Sequence, residues 1–102
     1  MQSLKIRIVQ TGEVLPITEA RVVFGRDDAA TVVASGPKAV LASGRHAELA
    51  YSQGNGWTLS DLGSTNGTFL NGKRIAGPQR VKDGDTFSLA LNGPAYAVVL
   101  PV

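Results

Sequence analysis

The chain has 102 residues, of which 43% are hydrophobic and 18% are charged. This size allows a single folded domain spanning 1–102, with the composition of an ordinary globular protein. The net charge is only +2, and the basic residues are interspersed with acidic ones, which argues against a nucleic-acid-binding stripe. Because the chain has no cysteine and one histidine, disulfides, cysteine metal sites and a typical zinc cluster are excluded.

The first predicted element is a half-buried strand near the N-terminus. Leu4, Ile6 and Ile8 alternate with Lys5 and Arg7, which is the period of two of a strand with one buried face. The same alternation leaves no uninterrupted apolar run, so we expect neither a signal peptide nor a membrane span. We therefore expect an intracellular, cytoplasmic protein that does not insert into membranes.

Further strand-like segments follow at short spacing, each bounded by turn residues. They cover residues 14–18, 21–25, 31–34, 46–52, 57–61, 68–70, 73–75, 85–91 and 95–100. This pattern predicts an all-β protein built as an antiparallel β-sandwich or barrel. Alternation within the segments assigns Trp57 and Leu59, and also Phe87, Leu89 and Leu91, to the core.

Turns and one ambiguous segment connect these strands. Asn71-Gly72 separates 68–70 from 73–75 and predicts a type I′ hairpin, because both central positions of that turn need a positive φ. The alanine-rich residues 37–50 have helix propensity, but Gly44 interrupts them. We interpret 34–43 as a loop that leads into the strand 46–52.

Two patterns resemble catalytic motifs, and neither is convincing. Residues 67–74 match the spacing of a P-loop but end in Arg74, where a serine or threonine should bind magnesium, and a hairpin turn stands in the loop. Ser43 and His46 could belong to a hydrolase triad, but the chain has no G-x-S-x-G elbow. We therefore expect no catalytic residues, no cofactor and no metal.

Four short motifs occur in order along the chain. They are Phe-Gly-Arg at 24–26, Ser-Gly-Arg-His at 43–46, Asp-Leu-Gly-Ser-Thr-Asn-Gly-Thr at 61–68 and Asn-Gly-Lys-Arg-Ile at 71–75. With this set the chain resembles a forkhead-associated (FHA) domain. The resemblance implies an antiparallel β-sandwich of about eleven short strands, of the FHA/SMAD-like type, whose loops at one end bind phosphothreonine peptides.

The resemblance also implies a binding site. Arg26, Ser43 and Thr65 would hold the phosphate, and Asn66 would hold the peptide main chain. These residue types suit a ligand with about −1.5 to −2 charges and three acceptor oxygens, because a guanidinium can bind two phosphate oxygens at once. Ordinary turn or capping roles remain the alternative for Ser43, Thr65 and Asn66.

Other motif residues are expected to shape the site without touching phosphate. By the resemblance, His46 is a buried residue that hydrogen-bonds between loops. Gly25 and Gly67 are expected to provide turns or a close approach of two backbone segments.

The chain departs from the family pattern beside the predicted site. Gly44 follows Ser43, where many members have a side chain that helps to grip the peptide, so that one contact is either missing or replaced by Arg45 or Lys38. We assign Gly44 and Arg45 to the peptide-binding surface. The loop between Arg26 and Ser43 is also slightly long, and its residues 34–43 contain no acidic side chain.

We predict a non-enzymatic module that binds proteins phosphorylated on threonine, which implies an upstream Ser/Thr protein kinase. The alternative is a structural or assembly domain on the same fold that binds protein surfaces without phosphate. Intact Arg26, Ser43, Thr65 and Asn66 favour the first hypothesis, because a purely structural domain does not need this combination.

Overall fold

A computed structural model describes residues 3–101, which form eleven strands and one short 3-10 helix. The strands are β1 (Leu4–Ile8), β2 (Val14–Ile17), β3 (Arg21–Gly25), β4 (Val32–Val33), β5 (Ala47–Ser52), β6 (Gly56–Asp61), β7 (Thr68–Leu70), β8 (Lys73–Arg74), β9 (Gln79–Arg80), β10 (Thr86–Leu89) and β11 (Ala95–Val99). The all-β prediction is confirmed, and every strand except β9 overlaps a predicted segment. The single-domain prediction also covers residues 1, 2 and 102, which lie outside the described residues.

The strands form two sheets that enclose the core of a β-sandwich. One sheet has six strands in the order β2-β1-β11-β10-β7-β8, and the other has five in the order β4-β3-β5-β6-β9. The predicted antiparallel pairing holds except between β3 and β4, which run parallel with Phe24 opposite Val32. The parallel pair forms because residues 26–31 fold the chain back, with Asp27 accepting the N–H groups of Ala29 and Ala30 at 2.9 Å each.

Alternating apolar residues from both sheets form the core. Trp57, Leu59, Phe87 and Leu89 are buried as predicted. The ring of Phe24 lies 5.0 Å from that of Phe87 and 5.0 Å from that of Tyr96, so it joins the two sheets. Burial of each such side chain contributes about 1.5–3 kcal/mol, and this cluster therefore fixes the end of β3 at the point where the first candidate site residue follows.

Leu91 is the one predicted core residue that the structure places elsewhere, because its side chain is 59% exposed. β10 ends at Leu89, and Ala90 adopts a φ of 78°, which stops the strand alternation. The N–H of Ala90 then donates to the carbonyl of Gly67 at 2.9 Å as the chain turns. The assignment of Leu91 to the core was wrong because the strand ends sooner than its apolar pattern.

Two elements were not predicted. β9 is short and exposed, without apolar alternation, and it pairs with Thr58 and Leu59 at the edge of the five-stranded sheet. The segment interpreted as a loop contains the 3-10 helix Pro37–Leu41. Proline is tolerated in the first turn of this helix, because a backbone N–H there would have no partner within the helix. Within residues 3–101, the structure has no helix whose length and apolar character would let it cross a membrane.

The predicted Asn71-Gly72 hairpin is confirmed. It joins β7 to β8, and its two residues have φ values of 50° and 85°. Residues 67–74 are therefore a strand, a tight turn and a second strand, not the loop and helix that a P-loop requires.

Candidate functional site

The predicted site residues lie on three connections at one end of the sandwich. These are the β3–β4 connection (residues 26–31), the β4–β5 connection (34–46) and the β6–β7 connection (62–67), which we call the apical loops. Hydrogen bonds join each of them to at least one other.

Backbone hydrogen bonds fix Arg26 against Ser43. The N–H of Arg26 donates to the carbonyl of Ser43, and the N–H of Asp27 donates to that of Gly44, at 3.0 Å in both cases. Gly25 permits this approach, because a Cβ at that position would lie 2.0 Å from the carbonyl oxygen of Gly44. The side chain of Arg26 is exposed, and neither of the ion pairs formed by the described residues includes it.

His46 is fully buried and joins two apical loops. Its Nδ1 lies 3.0 Å from the backbone nitrogen of Ser43, and its Nε2 lies 2.7 Å from the carbonyl oxygen of Gly67. Because a carbonyl can only accept, Nε2 carries the proton and Nδ1 accepts from Ser43. Both ring nitrogens are thus used by the backbone, and neither contacts the Ser43 hydroxyl as a hydrolase would require.

Asp61, the last residue of β6, organises the third apical loop. Its Oδ2 accepts the N–H groups of Gly63 and Ser64 at 3.0 Å, and its Oδ1 accepts the hydroxyls of Ser64 at 2.5 Å and Thr68 at 2.7 Å. Desolvation raises the pKa of Asp61, but these hydrogen bonds outweigh it and hold that pKa below its ordinary value. The carboxylate is therefore an ionised anchor whose lone pairs are occupied inside the protein.

The hydroxyl of Ser43 lies against the third loop. Its Oγ accepts the N–H of Thr65 at 3.0 Å, and the side-chain amide of Asn66 donates to the carbonyl of Leu41 at 2.9 Å. Thr65 and Asn66 are both exposed. Within the described part of the chain, the Thr65 hydroxyl, the Asn66 Oδ1 and the proton of the Ser43 hydroxyl have no protein partner. The loops therefore present unpaired polar groups beside Arg26.

Gly67 ends the third loop in a conformation with φ of 84°. Its N–H donates to the Ser64 hydroxyl at 2.9 Å, and a Cβ at this position would lie 2.6 Å from Nε of Arg74. Arg74 of β8 therefore lies against the backbone of this loop. A side chain at position 67 would be strained and would also displace Arg74.

The remaining predicted residues lie at the rim of the apical loops. Arg45 is exposed, and Gly44 is half-buried beside Asp27. A Cβ at Gly44 would lie 3.7 Å from the Cβ of Asp27, which is an ordinary contact distance. Lys38 lines a cavity of about 410 Å³ together with Leu91 and Asn92 of the β10–β11 connection. Among residues 3–101, no cluster of His, Asp and Glu is positioned to hold a metal ion.

Two contacts in the site were not predicted. The role of Asp61 had a readable signal, because Asp-x-Gly-Ser is the spacing at which a carboxylate bonds backbone N–H groups two and three residues on. The bond between Asn66 and the carbonyl of Leu41 had none. It uses a main-chain oxygen 25 positions away, which the side-chain sequence does not reveal.

Sequence comparisons identify relatives of the chain. The family model described as FHA domain matches residues 22–90. The FHA domain-containing protein FhaB of Mycobacterium tuberculosis is 39% identical over 74 residues, which are 72% of this chain and 45% of that protein. The chain thus spans less than half the length of this relative.

Solved structures share the fold. A structure from work on phosphothreonine-dependent FHA domain interactions has a TM-score of 0.82 and 26% identity, with 98% of both chains covered. The Rv1747 FHA-1 domain of Mycobacterium tuberculosis has a TM-score of 0.79 and 29% identity, covering 99% of this chain and 98% of that one. The FhaA FHA domain, complexed with the intracellular domain of Rv3910, has a TM-score of 0.78 and 26% identity, covering 94% and 99%. The family model, the related sequence and the solved structures agree, and this chain belongs to the FHA domain family.

Proposed function

We propose that this protein is a phosphothreonine-peptide-binding module that recruits proteins phosphorylated by Ser/Thr protein kinases. The contact between the Thr65 N–H and the Ser43 Oγ supports this most directly, because it brings together two predicted phosphate-binding residues that are 22 positions apart. The backbone of Arg26 is bound to the same Ser43. Three predicted phosphate-binding residues are thus joined by hydrogen bonds from the backbone N–H groups of Arg26 and Thr65 to Ser43.

These groups match the chemistry of a phosphate. The guanidinium of Arg26 can donate to two phosphate oxygens, and the hydroxyls of Ser43 and Thr65 can each donate one hydrogen bond. Residues 34–46 and 62–67 contain no acidic side chain that would repel the ligand. In the remaining apical loop Asp27 and Asp28 follow Arg26 directly, and the carboxylate of Asp27 accepts the N–H of Ala29 at 2.9 Å.

Asn66 is suited to hold the peptide main chain. Its Nδ2 donates to the carbonyl of Leu41, and its Oδ1, the acceptor of the side chain, can accept a peptide N–H. Gly44 and Arg45 complete the proposed peptide-binding surface. Because Gly44 offers no side chain, the exposed Arg45 is the neighbouring group able to contact an acidic or carbonyl oxygen of the peptide.

The module acts by recognition and not by catalysis in this proposal. His46 is buried with both nitrogens bound to the backbone, so it cannot serve as a base for the Ser43 hydroxyl. A separate Ser/Thr kinase must then supply the ligand. The intracellular location stays a prediction.

Calorimetry with three matched peptides, carrying phosphothreonine, phosphoserine or plain threonine, tests this function. We expect tight binding only with phosphothreonine. Arg26→Ala should weaken it by at least about a hundredfold, because two hydrogen bonds to a charged group contribute about 1.5–3 kcal/mol each. Arg80→Ala is the matched control, since Arg80 is an exposed arginine on β9 of the five-stranded sheet. Equal binding of phosphorylated and plain peptides would contradict the proposal and favour a phosphate-independent assembly domain.

A further inference from the structure

The 3-10 helix Pro37–Leu41 exposes its two largest apolar side chains to solvent. Val40 is 69% exposed, more than any other large hydrophobic residue in the part of the chain that the structure describes, and Leu41 is 37% exposed. We call these two residues the apolar ridge. The smaller Ala39 packs against the core, and Ala42, directly after the helix, is buried. Burial favours the larger side chains by more, so this arrangement works against stability.

The apolar ridge is fixed to the proposed binding site. The carbonyl of Leu41 accepts the side-chain amide of Asn66 at 2.9 Å, and Ser43 follows two positions later. The N–H of Ala42 donates to the carbonyl of Ala39 at 3.0 Å, which closes the helix. A peptide whose main chain is held by Asn66 therefore passes next to the apolar ridge.

From this geometry we propose that the apolar ridge makes the site selective for phosphothreonine peptides with an apolar side chain beside the phosphothreonine. This inference rests on the proposed function and names the class of peptide that the site takes. A basic peptide side chain would find no opposite charge at the ridge, because residues 34–43 have no acidic group. An apolar side chain would instead remove carbon surface of both partners from water.

Fluorescence anisotropy with a set of phosphothreonine peptides tests the selectivity. Each position flanking the phosphothreonine is occupied in turn by Leu, Ser, Lys or Glu. The unmodified protein should prefer Leu over Ser at one flanking position by roughly five- to tenfold. Val40→Ser should reduce that ratio to about one while binding stays phosphate-dependent, and Val40→Glu should make Lys the preferred residue at the same position. Val14→Ser, at an exposed valine on the edge strand β2, should leave the preference unchanged.

The outcomes separate the two proposals. A flat profile, or a leucine preference that Val40→Ser does not alter, overturns the role of the ridge and leaves the proposed function standing, provided that binding still needs phosphate. Binding that never depends on phosphate overturns both. Self-association of the unmodified protein that Val40→Ser abolishes would mean that a second copy covers the ridge, and would overturn the selectivity as well.

Discussion

Two carboxylates, Asp61 and Asp85, each anchor an Asn-Gly turn. The two turns differ in how many polar atoms of the asparagine are hydrogen-bonded within the protein. Asp61 accepts two backbone N–H groups and two hydroxyls around the Asn66-Gly67 turn. The carboxylate of Asp85 accepts two hydrogen bonds from Lys82, one from its backbone N–H at 2.9 Å and one from its side-chain ammonium at 3.2 Å. It also accepts the side-chain amide of Asn71 at 3.1 Å. One anchor binds the residues around its asparagine, and the other binds the asparagine itself.

That difference decides what each asparagine can still do. Asn71 donates through Nδ2 to Asp85 and accepts the N–H of Thr86 through Oδ1 at 3.0 Å, so both polar atoms are used inside the protein. Asn66 is exposed and uses only Nδ2, toward Leu41, and its Oδ1 has no partner within residues 3–101. The same dipeptide is thus a structural hairpin in one place and a candidate recognition group in the other.

The largest expected effect comes from removing the two anchors. Asp61→Ala deprives four donors of their acceptor, including the hydroxyl of the fully buried Thr68, and we expect the free energy of unfolding to fall by about 3–4 kcal/mol. Phosphopeptide affinity should fall more than about tenfold, because the loop no longer holds Thr65 and Asn66 in place. Urea unfolding and anisotropy measure the two quantities.

Asp85→Ala is the matched variant at the other turn. It should lower the free energy of unfolding by about 2–3 kcal/mol and leave phosphopeptide affinity within roughly twofold. If both variants reduced phosphopeptide affinity equally, the proposed difference between the two turns, one for binding and one for structure, would be contradicted.

Replacing the asparagines should separate stability from binding. Asn71→Ala loses two side-chain hydrogen bonds and puts alanine at a φ of 50°, so we expect about 2 kcal/mol of destabilisation with affinity unchanged. Asn66→Ala should cost less than about 1 kcal/mol of stability but about tenfold in affinity. Thermal melts and calorimetry on the same preparations check both; a destabilised Asn66→Ala with normal affinity would count against its proposed role.

A smaller effect is expected at Thr65. Thr65→Val keeps the shape of the side chain and removes its exposed hydroxyl, so phosphopeptide affinity should fall by roughly five- to tenfold while stability changes by less than about 0.5 kcal/mol. Thr58→Val on β6, three positions before the end of that strand and outside the apical loops, serves as the control. Unchanged affinity in Thr65→Val would remove Thr65 from the phosphate contacts.

The smallest effects concern pH and differ between stability and binding. Desolvation raises the pKa of Asp85, but hydrogen bonds from Lys82 and Asn71 outweigh it, and the folded pKa values of Asp85 and Asp61 both lie below their ordinary values. Their contribution to stability is therefore complete above the ordinary pKa and is lost as the pH falls below about 4 through the folded values. The free energy of unfolding, measured with urea across this pH range, should change less with pH in the double variant Asp61→Asn, Asp85→Asn than in the unmodified protein.

Binding should respond in a different pH window. The second ionisation of phosphothreonine lies near pH 6, so affinity should decline by a few fold between about pH 7 and 5, where the two carboxylates remain ionised. Calorimetry over that range checks this expectation. A parallel decline of stability and affinity would indicate that the loops unfold instead.

The sequence predicted the elements whose side chains alternate or whose turns have a fixed chemistry. Alternation located β6 and β10, and Asn71-Gly72 located the hairpin, because both signals are local. β9 was not predicted because its two residues are exposed and its pairing partner lies far earlier in the chain, with Arg80 opposite Thr58, 22 positions before it. The parallel partner of β3 likewise depends on how a loop folds back.

For the candidate site, the motifs named Arg26, Ser43, Thr65 and Asn66, and their binding roles stay predictions. Their placement beside one another depends on contacts that no local pattern encodes, such as the bond from Asn66 to the carbonyl of Leu41. The sequence by itself determined the strand periodicity, the turn positions and the kinds of donor group available, because these follow from neighbouring residues. Only the tertiary structure decided which donors remain free and which apolar side chains stay exposed, because that depends on hydrogen-bond partners and packing from distant strands and loops.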